Sequence, residues 1–216
     1  MYNNGDLLCF MVTIIDYDIG NLASIQNMLI KIGYSDVMIS RDREAVESAT
    51  KIIIPGVGHF DYGMAKIRSA DFFEVLNKRV LQDKVPVLGI CLGAQLLLEG
   101  SEEGISPGLG WIEGKSRKFD EKRMPEGLKI PHMGWGEVKL LKPSRLLSGL
   151  LEDARFYFVH SYHMECTDPA NHLLASDHGY PFIAAVEKDN IAGVQFHPEK
   201  SHKYGMALLK NFVTNF

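Results

Sequence analysis

The sequence predicts an α/β fold in which helices flank a mostly parallel central sheet. Three observations predict it. Short apolar, strand-like runs recur at Val12–Ile15, Lys51–Ile54 and Val85–Ile90. Between them lie segments whose apolar residues repeat at helical spacing. Turn residues such as Pro55-Gly56 and Gly100 separate the two kinds of segment. Strand, turn, helix and strand in this rhythm imply βαβ units and hence parallel pairing.

Taken in order, Val12–Ile15 reads as a buried strand. Asn21 caps a helix that carries Leu22, Ile25, Met28, Leu29 and Ile32 on one face and ends at Gly33. Lys51–Ile54 is a second strand, stopped by Pro55-Gly56. Phe60 to Leu81 holds helical sequence in two pieces. Val85–Ile90 is a third strand, and Leu92–Glu99 a helix that stops at Gly100. From Ser101 to Pro143 the chain is rich in Gly, Pro and charge, which predicts loops and short antiparallel strands around residues 101–150. Arg155–Val159, Phe182–Val186 and Ile191–Phe196 then read as strands, and Tyr204–Phe216 as a closing helix.

Composition bounds the function. The chain has 216 residues, 46% hydrophobic and 23% charged, which suits one ordinary domain with a real core. A net charge of −4 argues against nucleic acid as the main ligand, because phosphate binding needs a basic footprint. Three Cys, at 9, 91 and 166, do not make a disulfide framework and suggest a reducing compartment. No apolar stretch approaches the roughly 20 residues of a membrane span. The N-terminus lacks the positive region of a secretory signal. The expectation is a cytoplasmic protein, with an N-terminal extension over residues 1–10 and a single domain over residues 11–216. Met11, just before the first strand, is a candidate natural start.

The sharpest chemical feature is Gly89-Ile90-Cys91-Leu92-Gly93, between a strand and a helix. This is a nucleophile elbow with Cys in place of Ser. The glycines suit a turn too tight for flanking side chains, and the helix N-terminus behind Cys91 favours its thiolate. A small core Cys at a strand end is the ordinary alternative. Such a nucleophile needs a base. His197-Pro198-Glu199 ends the strand Ile191–Phe196, and Glu199 is placed to orient the imidazole. Strand ends at one edge of a parallel sheet converge, which would bring His197 to Cys91. Of the other His, His160 and His163 have poor metal spacing, and His59, His172, His178 and His202 lie in loop-like or polar contexts and are expected to be solvated. No zinc site is expected. Pro55-Gly56-Val57-Gly58 fits an oxyanion loop whose N–H would join that of Leu92. A phosphate cradle and a plain turn are the alternatives.

These residues resemble a known family. Residues 89–97 (Gly-Ile-Cys-Leu-Gly-Ala-Gln-Leu-Leu) with His197-Pro198-Glu199 are similar to the class I, triad-type glutamine amidotransferases, which have a flavodoxin-like sheet. Six further stretches resemble one branch, the glutaminase subunit of imidazole glycerol phosphate synthase: Asp16–Leu22, Pro55–Gly58, Ser101–Gly104, Pro131–Trp135, Tyr157–Tyr162 and Phe196–Ser201. The resemblance runs from about Met11 to Phe216.

It implies that Cys91 attacks the side-chain amide of L-glutamine, with His197 as base and then acid and Glu199 as its partner. It implies a mobile oxyanion strand at Gly56, Val57 and Gly58, with Leu92 opposite. Gln95, Glu103, Ser161 and Tyr162 match glutamine-holding positions. Trp135, Tyr157, Lys200 and Ser201 match positions near a partner. That partner would be a (β/α)8-barrel cyclase that uses the ammonia to make imidazole glycerol phosphate in histidine biosynthesis. No cofactor is implied. Three departures stand out: Asp18 where Gly is expected, Gly136-Glu137 after Trp135 where Asn is usual, and the segment from Gly110-Trp111-Ile112 to Lys115–Phe119. The last is closer to sibling glutaminases of surface-polysaccharide clusters, which feed an ATP-dependent sugar amidotransferase. A Cys hydrolase of the peptidase or deglycase kind would explain the elbow but not Gln95 with His197-Pro198-Glu199. A non-catalytic scaffold would not explain an intact triad.

Overall fold

The computed structural model describes residues 11–150 and 153–216. The expected extension over residues 1–10 lies outside the described residues. Strands β1 (Val12–Ile15), β3 (Lys51–Gly56) and β4 (Val87–Cys91) form as the sequence predicts. So do helices α1 (Leu22–Lys31), α3 (Phe60–Ser69) and α4 (Phe73–Leu81). The sequence reading missed β2 (Val37–Ser40) and α2 (Arg43–Ser48). Both are short, and β2 is an outer strand that is buried only at its two ends, so it presents no continuous apolar run.

Two expectations need correction here. Pro55-Gly56 does not stop β3. The strand continues through it, with Pro55 opposite Ile90 and Gly56 opposite Cys91 of β4. Proline is tolerated because pairing with β1 ends at Ile53, so a missing N–H breaks no ladder on that side. Helix α5 is also shorter than expected. It spans Leu92–Leu96, and Gly100–Ser101 forms strand β5 instead of serving only as a stop.

The later chain supplies β6 (Gly114–Lys118), β7 (His132–Glu137), β8 (Lys139–Leu140), β9 (Arg155–His160), β10 (Tyr162–Cys166), β11 (His172–Asp177), β12 (Pro181–Lys188) and β13 (Ile191–Val194). Helix α6 (His202–Thr214) closes the chain and starts two residues earlier than predicted. Among the described residues, an 11-stranded sheet runs β2-β1-β3-β4-β13-β12-β10-β6-β5, with β11 and β8 attached beside β12. The run from β2 to β13 is parallel, and β12, β10 and β6 pair antiparallel. The antiparallel region therefore extends through residues 162–188, beyond the predicted 101–150. Strands β7 and β9 form a separate antiparallel pair.

Alternation along β3 shows how the layers form. Ile53 joins a cluster with Ile25 and Leu29 of α1 and Leu208, Leu209 and Phe212 of α6. Ile52 and Ile54 join the opposite cluster, with Phe60, Met64 and Ile67 of α3 and Val75, Leu76 and Val80 of α4. Both faces of the parallel strands are thus covered, which is why they read as unbroken apolar runs. Fully burying a side chain of this size contributes roughly 1.5–3 kcal/mol. Among the described residues, no helix is long and apolar enough to cross a membrane.

Candidate active site

The central strands β3, β4 and β13 deliver the site. Cys91 is the last residue of β4, and its neighbours in register are Gly56 of β3 and, one step earlier, Val194 of β13. Its backbone has φ 55° and ψ −112°, a left-handed conformation at a non-glycine residue. Such a residue costs about 1–3 kcal/mol and persists only where the surroundings hold it. The glycines around it are needed for close approach. A Cβ on Gly93 would lie 1.8 Å from the Ile54 carbonyl oxygen, and one on Gly89 would lie 2.7 Å from the Gly93 oxygen. A Cβ on Gly56 would lie 2.7 Å from the Gly93 nitrogen and 2.9 Å from the Tyr17 hydroxyl. Tyr17 donates a short hydrogen bond to the Pro55 carbonyl. Burial and the neighbouring Cys91 push its phenol far above the usual range, so it stays a donor.

His197 lies beyond the end of β13, which stops at Val194, so it does not terminate a strand as predicted. A 3₁₀ turn over Pro198–Lys200 brings Glu199 back instead. His197 Nδ1 and Glu199 Oε1 are 2.8 Å apart, and the two side chains are 2% and 1% exposed. Burial alone would hold the imidazole neutral. Interaction with Cys91 and the hydrogen bond to Glu199 outweigh it and raise the pKa to about 9. His197 Nε2 has no hydrogen-bond partner of its own, nor has Glu199 Oε2. The turn is locked by Ser201, whose hydroxyl donates to the His197 carbonyl at 2.6 Å and accepts from the Tyr157 N–H at 2.9 Å.

A cavity of about 360 Å³ opens over Cys91 and His197. Val57, Gly58, Leu92, Gln95, Glu103, Ser161 and Tyr162 line it, so the structure gathers the residues predicted to stabilise an oxyanion and hold substrate except Gly56, which lies beside Cys91 in β3 and does not line the cavity. Gly58 has φ 97°, a conformation that favours glycine. Glu103 accepts the Phe60 N–H at 2.8 Å and so sits at the start of α3. Burial and the facing carboxylates of Glu103 and Glu102 raise the Tyr162 pKa.

The residues expected near a partner divide. Trp135 is 45% exposed and stacks on His202, with ring centroids 5.5 Å apart. Lys200 is exposed and reaches over the half-buried Tyr157 ring, 5.8 Å from its centroid. Ser201 is fully buried, and its hydroxyl is used inside the chain. Its hydroxyl holds the His197 turn, so of these four residues it is the one turned inward.

Sequence reasoning missed two groups. The first is Gln195, fully buried two residues before His197, whose amide donates to Cys91 Sγ at 3.8 Å. A single polar residue inside the run Ile191–Phe196 was the available signal, because buried polar groups are almost always hydrogen-bonded. The second is a histidine cluster that reaches the cavity wall through His160. His160 Nδ1 lies 2.8 Å from the Tyr162 carbonyl, which accepts, so Nδ1 carries a proton. His160 Nε2 then accepts from His132 Nδ1 at 3.2 Å. His178, expected to be solvated, stacks on His132 at 4.3 Å and bonds to the Lys129 carbonyl, and His172 bonds to the Cys166 carbonyl. His59 and His202 are exposed as expected. Among the described residues, no group of three or more His, Cys, Asp or Glu is placed to hold a metal.

The cluster gives a pH prediction. Burial, then the nearby His178, lowers the His132 pKa to about 4, and burial holds His160 well below its usual value. Between about pH 6.5 and 4 the unfolded chain binds protons that the native state does not, so stability falls as pH falls. The melting temperature is expected to drop across this window. His132→Gln should reduce the slope, and equal slopes for the two proteins would contradict the assignment.

Comparison with known proteins decides the family. The sequence profile for glutamine amidotransferase class-I matches residues 13–216. The chain belongs to this family. The amidotransferase is 51% identical over 203 residues to imidazole glycerol phosphate synthase subunit HisH 2 of Methanococcus maripaludis, covering 94% of this chain and 98% of that protein. It is 49% identical to the Pseudomonas aeruginosa protein of the same name, at the same coverage. Solved structures with this fold include PurLQS from Thermotoga maritima (TM-score 0.70, 18% identity, 95% and 98% of the two chains). Another is a glutamine amidotransferase, also from Thermotoga maritima (TM-score 0.55, 17% identity, 88% and 76%). At that level of identity the amidotransferase shares the fold with them.

Proposed function

We propose that this chain is the glutaminase subunit of imidazole glycerol phosphate synthase, acting in histidine biosynthesis. One observation carries the chemistry. A strained Cys91, a buried His197–Glu199 pair and the side chains of Gln95 and Glu103 converge at one cavity large enough for glutamine.

The Cys91 thiolate attacks the side-chain amide carbon of L-glutamine. Negative charge develops on the amide oxygen, facing the N–H of Leu92 and an N–H of the Gly56–Val57–Gly58 strand. His197 passes its Nε2 proton to the amide nitrogen, the C–N bond breaks, and ammonia leaves a thioester on Cys91. His197, now neutral, takes a proton from water, which attacks the thioester and releases glutamate and the thiolate. Glu199 holds the imidazole in the required tautomer and stabilises its charged form. Gln95, Glu103, Ser161 and Tyr162 hold the substrate.

The ammonia acceptor is the (β/α)8-barrel cyclase, docked on the face that carries Trp135, Tyr157 and Lys200. Support for a large apolar contact there comes from Trp135 and Met133, 45% and 63% exposed on one strand. Two departures from the family pattern have reasons inside the chain. Asp18 occupies the glycine position with φ 67° and is paired with Arg41 and Lys66 at 2.9 and 2.8 Å. A Cβ on Gly136 would lie 2.9 Å from the Phe158 ring. Neither departure requires the alternative acceptor, an ATP-dependent sugar amidotransferase.

The test is glutaminase activity with the cyclase from the same organism, with and without the cyclase's own ligand. Ligand-dependent stimulation and transfer of the amide nitrogen to the product are expected. Stimulation by a sugar amidotransferase and none by the cyclase would reassign the pathway.

A further inference from the structure

We propose that Gln195 is a hydrogen-bond donor to the nucleophile, held in its donating orientation by a chain of contacts that begins at the Tyr162 carbonyl. This rests on the reading of Cys91 as the nucleophile.

The orientation follows from acceptor chemistry. The Tyr162 carbonyl can only accept. It receives Gln95 Nε2 at 3.0 Å, so Gln95 turns its NH₂ group that way. The same nitrogen lies 3.0 Å from Gln195 Oε1, so its second hydrogen is used there. With Oε1 occupied, Gln195 presents its NH₂ to Cys91 Sγ, 3.8 Å away. Flipping Gln195 would set NH₂ against NH₂ and place an oxygen against the sulfur. Flipping Gln95 would place an oxygen against the Tyr162 carbonyl. The backbone at 162 therefore decides which atom meets the sulfur.

Burial makes the choice rigid. Gln195 is 0% exposed and Gln95 is 4% exposed, so water cannot replace either contact. Gln195 is also fixed at its backbone, where its N–H donates to the Ala184 carbonyl at 2.8 Å. A donor aimed at sulfur stabilises the thiolate and the anionic state more than the neutral thiol. The chain also spends both Gln95 hydrogens, which leaves Oε1 as the atom Gln95 offers to substrate. An acceptor at that point suits the α-ammonium group of glutamine. Because Ser161 and Tyr162 line the same cavity, the segment expected to hold substrate is mechanically tied to the nucleophile through two amides.

The test is alkylation of Cys91 by iodoacetamide at pH 7, located by peptide mass, in the full-length protein and two near-isosteric variants. Gln195→Met removes the donor. Gln195→Glu keeps an acceptor for Gln95 but removes the donor and adds negative charge beside the sulfur. A donor role predicts slower alkylation in the order native, Gln195→Met, Gln195→Glu, with the first step about threefold to tenfold. A purely structural role predicts that a Gln195→Met protein that melts like native alkylates at the native rate, whereas the charge of Gln195→Glu slows alkylation under either role. Equal native and Gln195→Met rates, or a near-native Gln195→Glu, overturn the proposal, and a Gln195→Met protein that melts like native decides alone. If Gln195→Met does not fold, NMR of the unaltered protein decides: alkylation of Cys91 must shift the Gln195 side-chain amide resonances, and unmoved resonances overturn the proposal. A native protein whose activity survives complete alkylation of Cys91 would instead overturn the reading of Cys91 as nucleophile, a separate outcome.

Discussion

Cys91→Ala is expected to abolish glutamine hydrolysis, by about 10⁴-fold or more, with the fold and partner docking retained. The size follows from the kind of step lost. Without the sulfur there is no thioester, and the remaining groups can only bind glutamine and polarise its amide. The fold should tolerate the change, because alanine removes one buried sulfur and the backbone at 91 is held by its neighbours in β3 and β13. Relief of the close sulfur–imidazole arrangement also removes one of the two interactions that keep His197 protonated up to about pH 9. In the native enzyme the imidazolium that protonates leaving ammonia is lost as pH rises through about 9, so the alkaline limb of activity belongs there. Ammonia release measured against partner binding checks the main claim. A Cys91→Ala protein with native activity would sink the assignment of the site.

Gly93→Ala is expected to be severely destabilising for a single added methyl group. The added Cβ would sit 1.8 Å from the Ile54 carbonyl oxygen, a backbone atom within β3. Neither side can yield easily, since β3 is laddered to both β1 and β4 and α5 follows Cys91 directly. The cost should exceed the usual 1–3 kcal/mol of overpacking, reaching about 4 kcal/mol or preventing folding. For a chain of this size the melting temperature should fall by roughly 8 °C or more. Gly58→Ala is the control. Nothing lies within 4 Å of its added Cβ, and only its φ of 97° opposes the change, so the loss should be about 1 kcal/mol. Thermal or denaturant unfolding of the two variants checks the contrast. Comparable losses would mean that close packing at Gly93 is not what holds the elbow.

The legible parts of the site were those written in consecutive residues. Gly89 to Gly93 states a tight turn after a strand, and the structure shows the positive φ at Cys91 that the glycines accommodate. His197-Pro198-Glu199 states a pair two residues apart, and the pair exists, though a 3₁₀ turn makes it where a strand end was expected. Pro55 read as a stop because proline cannot donate to a ladder. That rule failed where β3 had already lost a neighbour on one side. Strands β10 and β11 were missed because each is short and mixes polar with apolar residues, a pattern that resembles loop until the partner strand is known.

By itself the sequence determined the parallel α/β core and the nucleophile with its base. Each rests on short-range chemistry: branched apolar runs, glycines where a turn permits no side chain, and a proline that bends a His toward a Glu. Only the tertiary structure decided that Ser201 faces inward, that His132 and His160 form a buried pair with His178 stacked against it, and that Gln195 reaches Cys91. These contacts join residues far apart in the chain. Which of them meet is fixed by register between β4, β13 and the antiparallel strands, and by which hydrogen bonds a water-free interior forces each amide and imidazole to make.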